Sequence, residues 1–302
     1  MRSFPVLPTI IYSPDPILGV FMKLYKTFIY VVLILLAVSV AVPVLWVFMA
    51  SLKENSEFYG NPWALPAGIY FQNFIDAWTD AHMGQYFLNS VSVTLMALAL
   101  LLLLAVPCAY ALSRFRFKGR GLVRTLFMGG LFINVSYIVV PIFLMLVGLN
   151  RGLEVSFFLN NRFVLALVYA STALPFTVYL LQSYFQTLPH AFEEAAAIDG
   201  ASPLRTMLSV MLPMARPAVI TVILFNFLSF WNEYIIALTF MTNDSAKTLP
   251  VGLMNLMKAQ NAAAQYGKMY AGLVIVMLPT LILYILVQKK LTEGLTVGGV
   301  KG

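Results

Sequence analysis

Charge is what this 302-residue sequence has least of. Asp, Glu, Lys and Arg make up only 10% of it, against 61% hydrophobic residues, whereas soluble domains carry about 25% charged residues. A soluble core needs a charged skin, so a water-soluble globular protein is excluded and an integral membrane protein remains. Cysteine is represented by Cys108 alone, which rules out an internal disulfide framework; inside an apolar run it reads as a small buried thiol. The two histidines, His82 and His190, come without a G-x-S-x-G or H-E-x-x-H arrangement, so neither a catalytic set nor a metal site is legible. Alternating apolar and polar stretches are also missing, which points to helices rather than barrel strands.

What the sequence does have is long apolar runs. A membrane-crossing helix needs about 20 mainly apolar residues, and six stretches qualify: 28–50, 87–112, 126–149, 163–188, 217–240 and 269–288. Only the fifth carries a charge, Glu233. The expected class is therefore all-α, a polytopic membrane protein of six transmembrane helices. The net charge of +7 is consistent with nucleic-acid binding until the basic residues are placed. With a cytoplasmic N-terminus, Arg2, Lys23, Lys26, the basic residues of the run 114–124, Arg205, Arg216, Lys289, Lys290 and Lys301 fall inside, and Lys53, Arg151, Arg162, Lys247, Lys258 and Lys268 outside. This is the positive-inside bias. It puts both termini in the cytoplasm and makes a nucleic-acid partner unnecessary.

Residues 1–22 hold four prolines and no run long enough to span, and their charges and apolar core are not arranged as in a signal peptide. They read either as an interfacial tail or as an overrun ahead of a start at Met22, leaving a membrane domain over 23–302. Outside the membrane lie segments 51–86, 150–162 and 241–268. The first, with Trp63 and Trp78, reads as a packed cap at the lipid interface. The third contains "TLPVGL", an exposed loop by composition, then a short helix over "MNLMKAQNAAAQYG".

On the cytoplasmic side, residues 189–213 interrupt the apolar pattern with two short helices. Pro189 suits a first turn, Glu193 and Glu194 complement the positive helix end, and Ala195, Ala196 and Ala197 are strong helix formers. Asp199 and Gly200 follow; a glycine there suits the left-handed position that ends a helix. Ser202 and Pro203 read as the next cap and first position, and Leu212-Pro213 as the stop before the membrane. Alanines bury little area but allow close approach, so the segment is either a solvated loop helix or the seat of a protein partner.

The pattern E-A-A, three residues, G, nine residues, I-x-L-P stands here as Glu194-Ala195-Ala196, Gly200 and Val210-Met211-Leu212-Pro213, with Val for Ile. It resembles the cytoplasmic signature of ATP-binding-cassette (ABC) importer permeases. "RFRFKGR", "WNEY", "TLPVGL" and the closing "GLTVGGVKG" resemble, within that family, the carbohydrate-uptake branch and the second permease of maltose-type systems. The resemblance implies a type I importer permease fold in a prokaryotic inner membrane and a role as transport subunit, not enzyme. It also implies several partners: a second permease, two copies of an ATPase that holds the ATP and Mg, and an extracytoplasmic sugar-binding protein. No cofactor would be bound by this chain. The 189–213 segment would be the coupling helix, with Glu193, Glu194, Ala195, Ala196, Asp199, Gly200, Leu212 and Pro213 at the ATPase. The tail 289–302 would reach between the ATPase subunits through Gly298, Gly299 and Lys301. Leu249, Pro250, Gly252 and Asn255 would meet the binding protein.

The tail begins like a phosphate-binding loop at Gly294 and Gly299, but Val300 stands where Lys is required. On the fifth run, Asn226, Ser229, Phe230 and Glu233 share one helical face at i, i+3, i+4, i+7. Polar groups are costly in lipid, so this face reads as a solute path, with helix–helix glue as the alternative. Asn134 and Tyr137 are weaker candidates of the same kind. An ion-coupled secondary transporter would need mid-membrane ionisable groups, and Glu233 is the one available. Within the importer reading, the solute is a maltodextrin-like oligosaccharide or another compound such as glycerol phosphate.

Overall fold

The computed structural model describes the backbone of residues 16–263 and 265–299 and the side chains of 23–259 and 265–288. Among the described residues all regular structure is helical. Helix α1 (Pro16–Ser51) opens on a proline, whose missing N–H costs nothing at a first turn. It begins inside the stretch read as a tail, so residues 16–22 continue the first span; 1–15 lie outside the described residues.

The segment 51–86 is a packed cap. Its helices α2 (Asn55–Gly60) and α3 (Gln72–Thr79) are pinned by side chains. Glu57 accepts from the backbone N–H of Ala67 (3.0 Å) and Glu54 (3.1 Å), bonds that favour the ionised form and hold its carboxyl below the usual range. Lys53, only 1% exposed, donates to the Pro62 carbonyl at 2.7 Å. Trp63 packs on Trp46 with ring centroids 5.2 Å apart.

Two long helices, α4 (Met83–Arg114) and α7 (Arg162–Thr187), form the axis of the bundle. On α4, Ala97, Leu101, Ala105 and Ala109 recur every fourth residue and are fully buried, as are Ala166 and Ala170 on α7. Small residues at this spacing let two backbones approach closely, which is how helices associate where lipid supplies no hydrophobic drive. The last helix, α14 (Tyr266–Gly299), packs against α1, α3 and α11.

Two of the runs are not the continuous helices their composition suggests. The third divides into α5 (Arg120–Gly130) and α6 (Val135–Gly152). Asn134 makes the break affordable: its side chain accepts from the Ser136 N–H at 2.9 Å and caps α6. The fifth divides into α11 (Arg216–Trp231) and α12 (Ile235–Phe240). At about 24 Å for its 16 residues, α11 is shorter than a hydrocarbon core of about 30 Å. Upstream lie α8 (Ala191–Ile198), α9 (Pro203–Thr206), a π-helical stretch Met207–Met211 and α10 (Leu212–Met214). The rod Pro203–Met214 meets α11 at 78°. Five described helices are thus long and apolar enough to cross a membrane, and a sixth span exists only if that bent pair is one.

Candidate functional site

The interruption at 189–213 folds as helix, turn, helix. Pro189 precedes α8 rather than opening it: His190 occupies the cap and Glu193 and Glu194 fall in the first turn. Gly200 adopts φ +75°, and a Cβ placed there would meet nothing within 4 Å. Space is open; handedness is what requires glycine. Ser202 caps α9, accepting from the Arg205 N–H at 3.4 Å. Pro213 does not stop this helix. The Leu212 N–H reaches back to the Met207 carbonyl, five residues instead of four, and this wider turn accommodates the missing N–H and the bulk of the proline. The chain turns only after Met214, at Ala215.

The two adjacent acids face different ways. Glu194, Ala195, Asp199 and Gly200 are exposed, and Ala196 is buried. Glu193 turns inward: the Tyr110 hydroxyl donates to its Oε1 at 2.8 Å and Arg114 Nε lies 3.2 Å from its Oε2. The Arg114 side chain is 4% exposed and also donates to the Leu188 carbonyl at 2.7 Å. A buried pair of this kind is costly to break from one side, about 3–5 kcal/mol, because the other charge is left uncompensated.

In the membrane, Asn226 and Glu233 part company. Asn226 is buried and donates to Thr177 Oγ1 at 3.0 Å and to the Val222 carbonyl at 2.7 Å, so its amide ties α11 to α7. Glu233 is not on the α11 face at all; it sits in the break after Trp231. Its carboxylate accepts the Tyr169 hydroxyl (2.7 Å) and the backbone N–H of Ile236 (2.7 Å) and Ala237 (3.0 Å), which caps α12. With Ser229, Phe230, Thr172 and Ser136 it lines a cavity of about 240 Å3, where Tyr169 and Phe230 stack at 5.5 Å. Tyr169 is seven residues into α7, so the break lies about 10 Å along that helix from its N-terminal end. Non-helical backbone at such depth persists where it is buried or lines a cavity. Asn134 has its capping role, and Tyr137 is 82% exposed.

The stretch "TLPVGL" is not an exposed loop but leads into α13 (Leu249–Ala263). Leu249 and Gly252 are buried, Pro250 and Asn255 partly so. A Cβ on Gly252 would lie 2.0 Å from the Tyr86 ring, so glycine there serves close approach. The Ser90 hydroxyl accepts from the Leu249 N–H at 2.8 Å, and Asn89 donates to the carbonyls of Ser245 and Lys247 at 2.9 Å each. Composition failed here because the segment's polar groups are satisfied by α4 instead of water.

Residues 64–289, which hold all of this apart from the tail, match the family described as binding-protein-dependent transport system inner membrane component. The chain belongs to this family. The permease is 41% identical over 266 residues to a diacetylchitobiose uptake system permease protein of Streptomyces coelicolor, covering 88% of this chain and 86% of that one. It is 31% identical over 273 residues to a trehalose/maltose transport system permease protein of Thermococcus litoralis, covering 89% and 94%. A crystal structure of a bacterial ABC transporter involved in import of the acidic polysaccharide alginate superposes with a TM-score of 0.76 at 26% identity, covering 93% of this chain and 99% of that one. The permease is thus an inner-membrane transport component of the carbohydrate-uptake kind, not a catalyst. Of its tail, Gly298 and Gly299 are described only as the end of α14, and Lys301 lies outside the described residues.

Tyr110, Arg114, Tyr169 and Thr172 escaped the reading of the sequence. Tyr110 and Tyr169 lie in apolar runs and Arg114 in the basic run that follows one; these three meet their partners across more than 60 residues of chain, while Thr172 bonds the Tyr169 carbonyl within its own helix. Only the isolated Glu233 hinted that a hydroxyl must stand opposite it.

Proposed function

We propose that this permease moves a neutral di- or oligosaccharide of the maltodextrin or chitobiose kind, released by an extracytoplasmic binding protein, through a pathway shared with a second permease. Two copies of an ATPase hold the ATP and Mg and drive the cycle; this chain holds no cofactor. Six spans, with α11 and its bent approach counted as one, leave both termini in the cytoplasm. The observation that carries the reading is the helix–glycine–helix hook at 191–214, whose face of Glu194, Ala195, Asp199 and Gly200 is left exposed by the described residues. In the family such a face seats the ATPase, and closure of the ATPase pair biases the two-state gate. The tail contact through Gly298, Gly299 and Lys301 would be a second seat.

The nature of the solute is supported by the cavity at the helix break. The hydroxyls of Ser229 and Thr172 beside the stacked Tyr169–Phe230 pair suit a sugar, and a broken helix marks the solute site in many transporters. Glu233 has no cation within 4.0 Å among the described residues, so a phosphate-bearing solute would be repelled where a neutral sugar is not. Relatives named for diacetylchitobiose, trehalose/maltose and galactooligosaccharides agree. The test is uptake by proteoliposomes of the assembled complex with its binding protein. ATP-dependent accumulation of a labelled disaccharide supports the reading; accumulation of glycerol phosphate with no sugar uptake refutes it.

A further inference from the structure

The adjacent acids Glu193 and Glu194 both fall within a motif whose acids read as contacts for another subunit, yet only Glu194 is free to make one. Glu193 is occupied within the chain by Tyr110 and Arg114, both on the last turns of α4. Arg114 also holds the Leu188 carbonyl, which lies just ahead of α8, so the coupling helix and its entry are tied to one guanidinium. At its other end α4 is bound just as firmly. Asn89 and Ser90 take the backbone of residues 245–249, and the Tyr86 ring fills the space that Gly252 leaves. Between the two sets of contacts lies a 32-residue helix, about 48 Å long.

We infer that Glu193 is a positioning residue: with Tyr110 and Arg114 it latches the coupling helix to the inner end of α4. Helix α4 then acts as a rod, carrying displacement of the coupling helix to α13 on the outer face. Glu194 docks; Glu193 transmits. A coupling helix joined to the bundle only by its flanking turns could swivel against them, because its alanines bury little area. The Arg114–Glu193 ion pair, the Tyr110 hydrogen bond to Glu193 and the Arg114 hydrogen bond to Leu188 hold the helix and its entry at three points and remove that freedom. This rests on the proposed role of residues 191–214 as the ATPase seat.

The test measures ATP hydrolysis and sugar uptake together in proteoliposomes of the complete complex, for wild type, Tyr110→Phe, Glu193→Gln and Glu194→Lys. Glu193→Gln is expected to keep the ATPase in the purified complex while sugar moved per ATP falls by about tenfold, within the usual range of coupling between sites. Tyr110→Phe, which removes one hydrogen bond and leaves the ion pair, should fall less in the same direction. Glu194→Lys should lose the ATPase. In parallel, spin labels at Arg116→Cys and Ile198→Cys, in a Cys108→Ala background, report the gap between α4 and α8 in the isolated chain. The distance distribution should be narrow in wild type and broad in Glu193→Gln. Unchanged stoichiometry in Glu193→Gln and Tyr110→Phe, an unchanged distance distribution, or loss of the ATPase in Glu193→Gln as in Glu194→Lys overturns the latch. A wild-type chain that binds no ATPase would instead refute the proposed function, and the label distances would still judge the latch.

Discussion

Helices α8 and α13 are both short, both follow an apolar span, and both were legible as polar interruptions, yet they are held in opposite ways. The first is held to α4 through Glu193 and leaves most of its surface bare. The second is sunk into the bundle, with Leu249, Val251 and Gly252 wholly buried against α4 and its neighbours. The first is anchored by a few directional contacts, the second by packing, which yields less readily.

The comparison is broken most severely at the packed end. Gly252→Leu forces a side chain into the Tyr86 ring, and Leu249→Ala empties a fully buried site at about 2–5 kcal/mol. Both should lower the midpoint of thermal unfolding in detergent, and Gly252→Leu should sharply reduce folded yield. At the cytoplasmic end the same size of change should spare the fold. Gly200→Trp, in open space, costs only the strain of a left-handed residue, about 1–2 kcal/mol. It should leave an inserted, folded chain whose uptake is abolished, read by flux against surface-labelled protein. Glu194→Lys should shift stability by no more than about 0.5 kcal/mol and still remove the ATPase from the purified complex.

The smallest effect is expected from pH. Lys247 hydrogen-bonds the Asp244 carboxylate and, with its charge and the Tyr86 hydroxyl, holds that carboxyl below its ordinary 3.8. The folded value is depressed, so its contribution is complete above 3.8 and lost as pH falls through the lower folded value. Proteolysis of the segment 241–248 should accelerate only at that acid extreme in wild type. In Lys247→Met it should begin at higher pH.

The coupling segment was readable in the sequence because its requirements are local: acids at a helix start, a glycine for a left-handed turn, a Ser-Pro cap. Spans one, two, four and six followed from run length alone. The breaks in the third and fifth runs did not, because apolar composition is the same on either side of a bend. What permits each bend is one side chain, Asn134 in one case and Glu233 in the other, acting as a cap. The i, i+7 spacing that grouped Asn226 with Glu233 assumed a helix that ends at Trp231. Asn226 turned to Thr177, and Glu233 to Tyr169, by contacts no spacing rule can see.

The most direct test of the account places a photoactivatable cross-linker at Ala195, on the bare face of α8, in native membranes, and identifies the captured peptide by mass spectrometry. The account predicts a peptide from a nucleotide-binding ATPase subunit, captured at Ala195 and not at the buried Ala196. Cross-links only within this chain, or only to lipid, would contradict it.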